Sequence, residues 1–402
     1  MSKCLICKNE IESRDEDIFV LKNAPARAQY FLENREVPSK SQINLKLTVC
    51  PHCGHVQLIN EPVFYYKDVI RSSSVSEKMK NMRKEEYEKL FSYLDIEKSN
   101  KRLIKILEPG CGSGEFLDVL KKLLIEKSKK NKKYNNVLIY GIEHDLKRVN
   151  AARALDIDVI ESYAENGMIF KNAPYDAFVQ FNFIEHAKDP VDMMMTINHN
   201  LNMGGVGLIT APSFEYILDN YAYYELIVDH ISNFTFDSLS YLLEMTGFKI
   251  LSKNILNKDT LEFYVKKIAN ADESYINKFV RNKKTVNKKL NMKYIKKIFD
   301  LSKSKFDKKL TKYISSIGDR KLYAWGASHQ GLTILSITEL KNKVEAVIDS
   351  SPAKQGKFTI GSSLKIIDPQ TFYKENNTAV IILAPGFSDE IRRTIEKNIE
   401  IC

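Results

Sequence analysis

The chain has 402 residues, a formal net charge of +10, and 44% hydrophobic against 28% charged residues. That length holds two or three domains with sizeable cores. No stretch approaches the ~18 uninterrupted apolar residues of a membrane span. Nor does Met1-Ser2-Lys3-Cys4 open an apolar secretory segment, so the expected location is the cytoplasm.

Residues 1–72 carry two cysteine pairs, Cys4-Leu5-Ile6-Cys7 and Cys50-Pro51-His52-Cys53-Gly54. Each CxxC turn aims two thiolates at one point, and two such turns make a closed tetrahedral Cys4 site for structural zinc. In a chain without a secretion signal this spacing favours metal over disulfides. A closed four-thiolate site leaves no position for catalysis, and His52 and His55 are read as flanking residues. Alternation over Asp17–Leu21 and Leu45–Val49 predicts strands, with residues 22–44 as an inserted loop. Ser74 to Leu94 is helical in period, with Met79, Met82, Tyr87, Leu90, Phe91 and Leu94 on one face.

Strands and helices then alternate. The reading is strand Leu103–Leu107, helix Glu115–Lys129, strand Asn136–Ile142, helix Leu146–Leu155 and a short strand at Val159-Ile160. Strand Asp176–Phe181, helix Pro190–Leu201 and strand Gly207–Ala211 follow. The pattern demands a mostly parallel, doubly wound sheet over residues 73–265. Glu108-Pro109-Gly110-Cys111-Gly112-Ser113-Gly114 closes the first strand and opens a helix. Glycines there let the backbone approach a ligand, and the helix start offers N–H groups. The GxGxG spacing after Glu-Pro favours S-adenosylmethionine (SAM) over a dinucleotide. Glu143 ends the next strand, where an acid accepts ribose hydroxyls. Tyr163 and Ala164 follow the third strand, beside the expected adenine, and Asn182 and His186 follow the fourth. Residues 80 to 255 thus resemble the class I SAM-dependent methyltransferases. Glu108, Gly110, Gly112, Gly114, Glu143, Tyr163, Ala164, Asn182 and His186 are the expected cofactor residues.

Residues 266–316 read as a charged helical connector. Lysines in Lys121–Lys133 and Lys283–Lys312 alternate with apolar residues, as on solvated amphipathic helices. The positive charge is therefore assigned to surface helices rather than to a nucleic-acid face, and no nucleic-acid or membrane partner is expected. Residues 317–402 form a second, smaller α/β unit: strand Lys321–Trp325, helix Gln330–Leu340, strand Val344–Ile348 and strand Ala379–Leu383.

The order of parts resembles the sugar C-methyltransferases of deoxysugar pathways: a Cys4 module, a class I core and a Rossmann-like C-terminal domain. Gly326-Ala327-Ser328-His329-Gln330-Gly331, Val347 to Thr359, Leu383 to Ile391 and Asp229-His230-Ile231-Ser232-Asn233-Phe234-Thr235 carry the resemblance. It implies methylation of a carbon beside the keto group of a nucleotide-linked sugar, with His230 as base and Asp229 assisting. A tyrosine would donate to the enolate oxygen; Tyr66, Tyr223 and Tyr224 are the candidates. The chain departs from the family at Ile227, where a tyrosine usually stands, and at His329-Gln330, usually Ala-Lys. O- or N-methylation of a sugar stays open as an alternative. So does a nucleic-acid methyltransferase, although Phe181-Asn182-Phe183-Ile184 lacks the Asn/Asp-Pro-Pro-aromatic tetrad of base-amino methylation. Oligomeric state is not encoded in these patterns.

Overall fold

A computed structural model of the protein describes residues 2–12, 14–28, 30–63, 76–96, 103–282 and 290–398. Its centre is a sheet of seven strands. In chain order these are β4 (Ile104–Pro109), β5 (Val137–Glu143), β6 (Asp158–Glu161), β7 (Tyr175–Phe181), β8 (Leu201–Pro212), β10 (Phe248–Leu256) and β11 (Thr260–Lys267). They lie in the order β10-β11-β8-β7-β4-β5-β6. From β6 through β8 all pairings are parallel, while β11 runs antiparallel to both β8 and β10. All seven residues of β7 are buried, as a central parallel strand covered on both faces requires.

Helices α2 (Glu115–Lys130), α3 (Leu146–Ala154), α4 (Pro190–His199) and α6 (Phe236–Met245) connect these strands. Their starts follow local chemistry. Asp145 caps α3, Asp189 caps α4 ahead of Pro190 at the first helical position, and Thr235 with Ser238 forms a capping box on α6. One face of the sheet packs on α1 (Glu77–Leu94), α2 and α3 through Tyr87, Leu90, Phe116, Leu120 and Val149. The other face packs on α4 and α6 through Met194, Ile197, Leu239 and Leu242.

The N-terminal lobe holds β1 (Phe19–Pro25), β2 (Gln42–Val49) and β3 (Val56–Leu58). Its four-stranded sheet, ordered β9-β3-β2-β1, is completed by β9 (Ser232–Asn233), which comes from the core. The predicted loop 22–44 is therefore wrong at both ends. Strand β1 runs on to Pro25, β2 begins at Gln42, and Phe31–Leu32 pairs with Phe358–Thr359.

The C-terminal unit is a parallel sheet of β14 (Ile366–Ile367), β13 (Val344–Ile348), β12 (Lys321–Trp325) and β15 (Thr378–Ile382), in that order. Helix α9 (His329–Ile337) packs on it. Between core and C-terminal unit lie α7 (Glu273–Asn282) and α8 (Met292–Ser316). The predicted helical segment from residue 266 starts too early, because Lys266 and Lys267 finish β11. Lys267 is 3% exposed and donates to the carbonyls of Asn198 and Leu201. Helix α8 is more than a solvated connector. Met292, Ile295 and Phe299 fill the N-terminal lobe's core, and Leu310 fills that of the C-terminal unit. Among the described residues no helix is long and apolar enough to cross a membrane.

On α1, Arg83 and Glu86 form a buried ion pair at 2.5 Å, with the guanidinium 3.9 Å from the Phe181 ring centre. Burial outweighs the Arg83 charge and pushes the Glu86 carboxyl up from 4.5 to about 7. A raised carboxyl pKa stabilises the fold below the unfolded value, and that contribution is lost as pH rises through the folded value. The stability of the native protein relative to Glu86→Gln should therefore fall between pH 4.5 and 7, by up to about 3 kcal/mol. Thermal unfolding across that window checks this, and parallel profiles for the two proteins would exclude Glu86 as the titrating group.

Candidate active site

The chain leaves β4 toward β5 and β6, then returns to β7 on the other side of β4. That reversal opens a crevice at the carboxyl ends of β4 and β7, where doubly wound sheets bind ligands. A cavity of about 1230 Å³ lies there. The glycine turn, Glu143, and residues after β6, β7 and β8 line it. The N-terminal lobe adds Lys3, Lys8, Arg27 and Tyr30, and α9 adds His329 and Gln330. Arg27 sits 4.4 Å above the Tyr30 ring, and Lys8 pairs with Asp189 at 2.7 Å.

Gly110 and Gly112 face the cavity at φ +73° and +59°. A Cβ at Gly110 would stand 2.9 Å from the Phe183 ring, so a side chain there meets both backbone strain and a clash. Glu143 is the turn's anchor. Its carboxylate accepts from the backbone N–H of Gly112 at 3.1 Å and of His144 and Asp145 at 2.9 Å each. A carboxylate has about four acceptor directions, so a ribose hydroxyl would meet an acid already mostly engaged. Asp145, not Glu143, caps α3. Beside it the rings of His144 and Tyr163 stack at 4.5 Å and 22°, forming a flat wall with Ala164 also on the cavity. Asn182, at φ +44°, is held by Thr210, whose hydroxyl donates to Oδ1 at 2.8 Å. Two expected cofactor residues lie elsewhere. Glu108 is fully buried and does not line the cavity. Gly114 caps α2 at φ +81°, where a Cβ would meet Ala152 and Ile157, so its role is close packing of α2 on α3 and β6.

Glu185, His186 and His230 converge on the opposite wall, each offering a ligand atom within 4.8 Å of the others. The two imidazoles meet edge to face at 4.8 Å. A carbonyl only accepts, so His186 Nδ1 donates to the Asp229 carbonyl at 3.0 Å. That bond fixes the tautomer and leaves Nε2 with a lone pair. Asp229 thus positions His186 through its backbone, and the residue itself lines the cavity. Burial, then the neighbouring imidazoles of His186 and His329, hold His230 well below the usual histidine range. Burial also lowers His186 to about 4 and raises Glu185 to about 8. Glu225 lines the same cavity and accepts from His329 Nε2 at 3.1 Å and from Gln330 Nε2 at 2.6 Å. His329 does not cap α9; Ser328 does.

The tyrosine candidates fare differently. Tyr66 lies outside the described residues. Tyr224 packs against the C-terminal core and against Tyr223, away from the cavity, because β8 leads into a helix that turns it outward. Tyr216, which the sequence reading passed over, does line the cavity. It stands on α5 (Phe214–Asp219), a helix too short for periodicity to reveal. Burial, with Glu225 and Asp259 nearby, raises its hydroxyl pKa, which keeps it a donor. Glu185, Glu225 and Arg83 were also missed as cavity residues; only the adjacency of Glu185 to His186 hinted at one of them.

In the N-terminal lobe the four sulfurs of Cys4, Cys7, Cys50 and Cys53 lie within 4.8 Å of one another and are buried. Cys4–Cys53 and Cys7–Cys50 stand 3.5 Å apart, as thiols rather than disulfides. A tetrahedral ion with metal–sulfur bonds of about 2.3 Å spaces sulfurs about 3.8 Å apart, so the cluster fits zinc. His55 is fully buried beside it, with Nε2 3.2 Å from the Ser232 hydroxyl, while His52 is exposed.

Residues 79–253 match the model of a methyltransferase domain family, and residues 261–400 match that of the C-methyltransferase C-terminal domain. No curated protein matches the chain. Among solved structures it is similar to a SAM-dependent methyltransferase of Methanosarcina mazei, at 15% identity over 43% of this chain and 97% of that one (TM-score 0.35). It is also similar to a plantazolicin methyltransferase in complex with a desmethyl-plantazolicin analogue and SAH, at 15% identity over 48% and 87% (TM-score 0.37). A third likeness is the YcgJ protein of Bacillus subtilis, at 10% identity over 44% and 99% (TM-score 0.33).

Replacing Glu143 by Ala removes the acceptor for three backbone N–H groups. SAM affinity should drop at least about tenfold, since hydrogen bonds to a charged group contribute about 1.5–3 kcal/mol. Calorimetric titration checks this, and unchanged affinity would free Glu143 from cofactor binding.

Proposed function

We propose, for a chain that belongs to the SAM-dependent methyltransferases joining a class I core to a C-methyltransferase C-terminal domain, that it methylates the carbon beside the keto group of a nucleotide-linked deoxysugar. The observation that carries this reading is the placement of His230 in a cavity shared by all three parts of the chain. Among the described residues neither ring nitrogen of His230 has a hydrogen-bond partner, and burial keeps the ring neutral. A neutral imidazole facing a ligand cavity is equipped to take a proton.

SAM, when bound, supplies an electrophilic methyl group on a positively charged sulfur. Gly110, Gly112, Glu143, Tyr163, Ala164 and Asn182 are the residues that would hold it. His230 takes the proton from the carbon next to the carbonyl, and the electron pair passes toward the carbonyl oxygen. Tyr216 donates a hydrogen bond to the enolate oxygen that forms. Asp229 and His186 fix the wall against which the sugar rests. Lys3, Arg27 and Tyr30, from the N-terminal lobe, provide cations and an aromatic face suited to a nucleoside diphosphate. The four cysteines would hold structural zinc, and so would fix β3 and through it β9, the strand two residues after His230. The expected site of action is the cytoplasm.

Proton exchange tests the base. With nucleotide-linked 4-keto sugars in heavy water, the native protein should exchange the proton next to the carbonyl, and His230→Gln should slow exchange by about 10²-fold or more. Mass spectrometry reads both, and undiminished exchange in the variant would remove His230 from the role. Metal analysis should find one zinc per chain, and Cys50→Ser should lose it together with activity, because the knuckle and β9 share one sheet. Retention of full activity by a metal-free Cys50→Ser protein would contradict that coupling.

A further inference from the structure

We infer that Glu185, His186 and His230 form a second metal site, one that binds a divalent transition ion and holds the enzyme at rest. The observations come from geometry. Two imidazole nitrogens and a carboxylate oxygen lie within 4.8 Å of one another, and His186 Nε2 is 3.8 Å from Glu185 Oε1. An ion with bonds of about 2.0–2.2 Å separates adjacent ligand atoms by about 3.0–3.5 Å, so the widest pair would need to close by up to about 1.3–1.8 Å and the His186–Glu185 pair by less than about 1 Å. The donors are of the borderline type that suits Zn2+, Co2+ or Ni2+ rather than Mg2+ or Ca2+.

Two further features point to a ligand. His186 Nδ1–H is bound to the Asp229 carbonyl, the outer bond that typically orients a metal-ligating imidazole and presents its other nitrogen. Glu185, 2% exposed, has an Oε2 with no hydrogen-bond partner among the described residues. A buried carboxyl oxygen without a partner is costly, and an ion held through Oε1, the oxygen near His186, would offset the cost of burying this carboxyl. The cavity leaves the remaining coordination positions to water or a ligand, unlike the closed four-cysteine cluster.

The inference goes beyond the proposed function and meets it at one atom pair. An ion on His230 takes the lone pair that would accept the substrate proton, so the loaded enzyme cannot start the reaction until the ion leaves. Co2+ titrated into zinc-containing protein tests the site without any turnover. One added equivalent should give the visible absorption of cobalt on nitrogen and oxygen. The thiolate-to-cobalt charge-transfer band of the cysteine site should be absent. Glu185→Gln should weaken this binding at least about tenfold, and His186→Gln should do likewise should the first variant misfold; SAM titration reports folding of each. Absence of the signal, or equal affinity in folded variants, would overturn the site. Zn2+ at the same concentrations should suppress heavy-water exchange, with recovery on chelation. Exchange that survives full occupancy would overturn the resting state and also count against His230 as base, leaving the metal site itself standing on the cobalt result.

Discussion

The pairing of Ser232–Asn233 with β3 is the contact that fixes where Asp229 and His230 stand on the cavity wall. The segment bearing Asp229 and His230 leaves the core, crosses the cavity wall and becomes the outer strand of a sheet belonging to another lobe. Leu58 N–H donates to the Ile231 carbonyl at 2.9 Å, and His55 reaches Ser232 from beside the cysteine cluster. A loop residue in this position would sample many rotamers and backbone states. A strand two residues away removes most of that freedom. The cysteine cluster is therefore tied to the cavity through a ladder that runs from its second knuckle into β3 and on to β9.

The two Rossmann-like units share a device and use it differently. In the core, Glu143 ends the second strand and holds the glycine turn by Gly112 N–H. In the C-terminal unit Asp349 follows β13 and holds its own turn by Ala327 N–H, while Lys354 Nζ closes on the same carboxylate at 3.0 Å. The core acid faces the large cavity; the C-terminal acid is engaged by a lysine and does not line that cavity. What the C-terminal unit presents to the cavity is the start of α9, where His329 and Gln330 grip Glu225. Its contribution to the cavity is a wall.

Much of the core was readable because its strands are short apolar runs stopped by glycine or an acid, and its helices start at Asp145 and Asp189. The four cysteines were readable by spacing alone. The hairpin β10–β11 was not, because its turn uses Asn257 and Lys258 at positive φ instead of a glycine pair. Lys267 looked like the start of a charged helix, since nothing in a sequence reveals that a lysine will be buried on two carbonyls. His186 and His230 could each be suspected, but their meeting at 4.8 Å depends on β9 drawing one toward the other. Tyr224 was a reasonable donor by position, and it points away because α5 and the following turn bury it on the C-terminal unit.

Helix α8 has a consequence for how the protein is made. The N-terminal lobe's core combines Leu21, Leu45 and Val56 with Phe214, Leu226 and Val228, and it is filled last by Met292, Ile295 and Phe299. Chains emerge from the ribosome in order, and long-range contacts wait for their distant halves. The N-terminal lobe is thus completed late, only once the chain has been made through Phe299. Until then its apolar strands stand open, a stage at which nascent chains attract chaperones, and the lobe is not a separable folding unit.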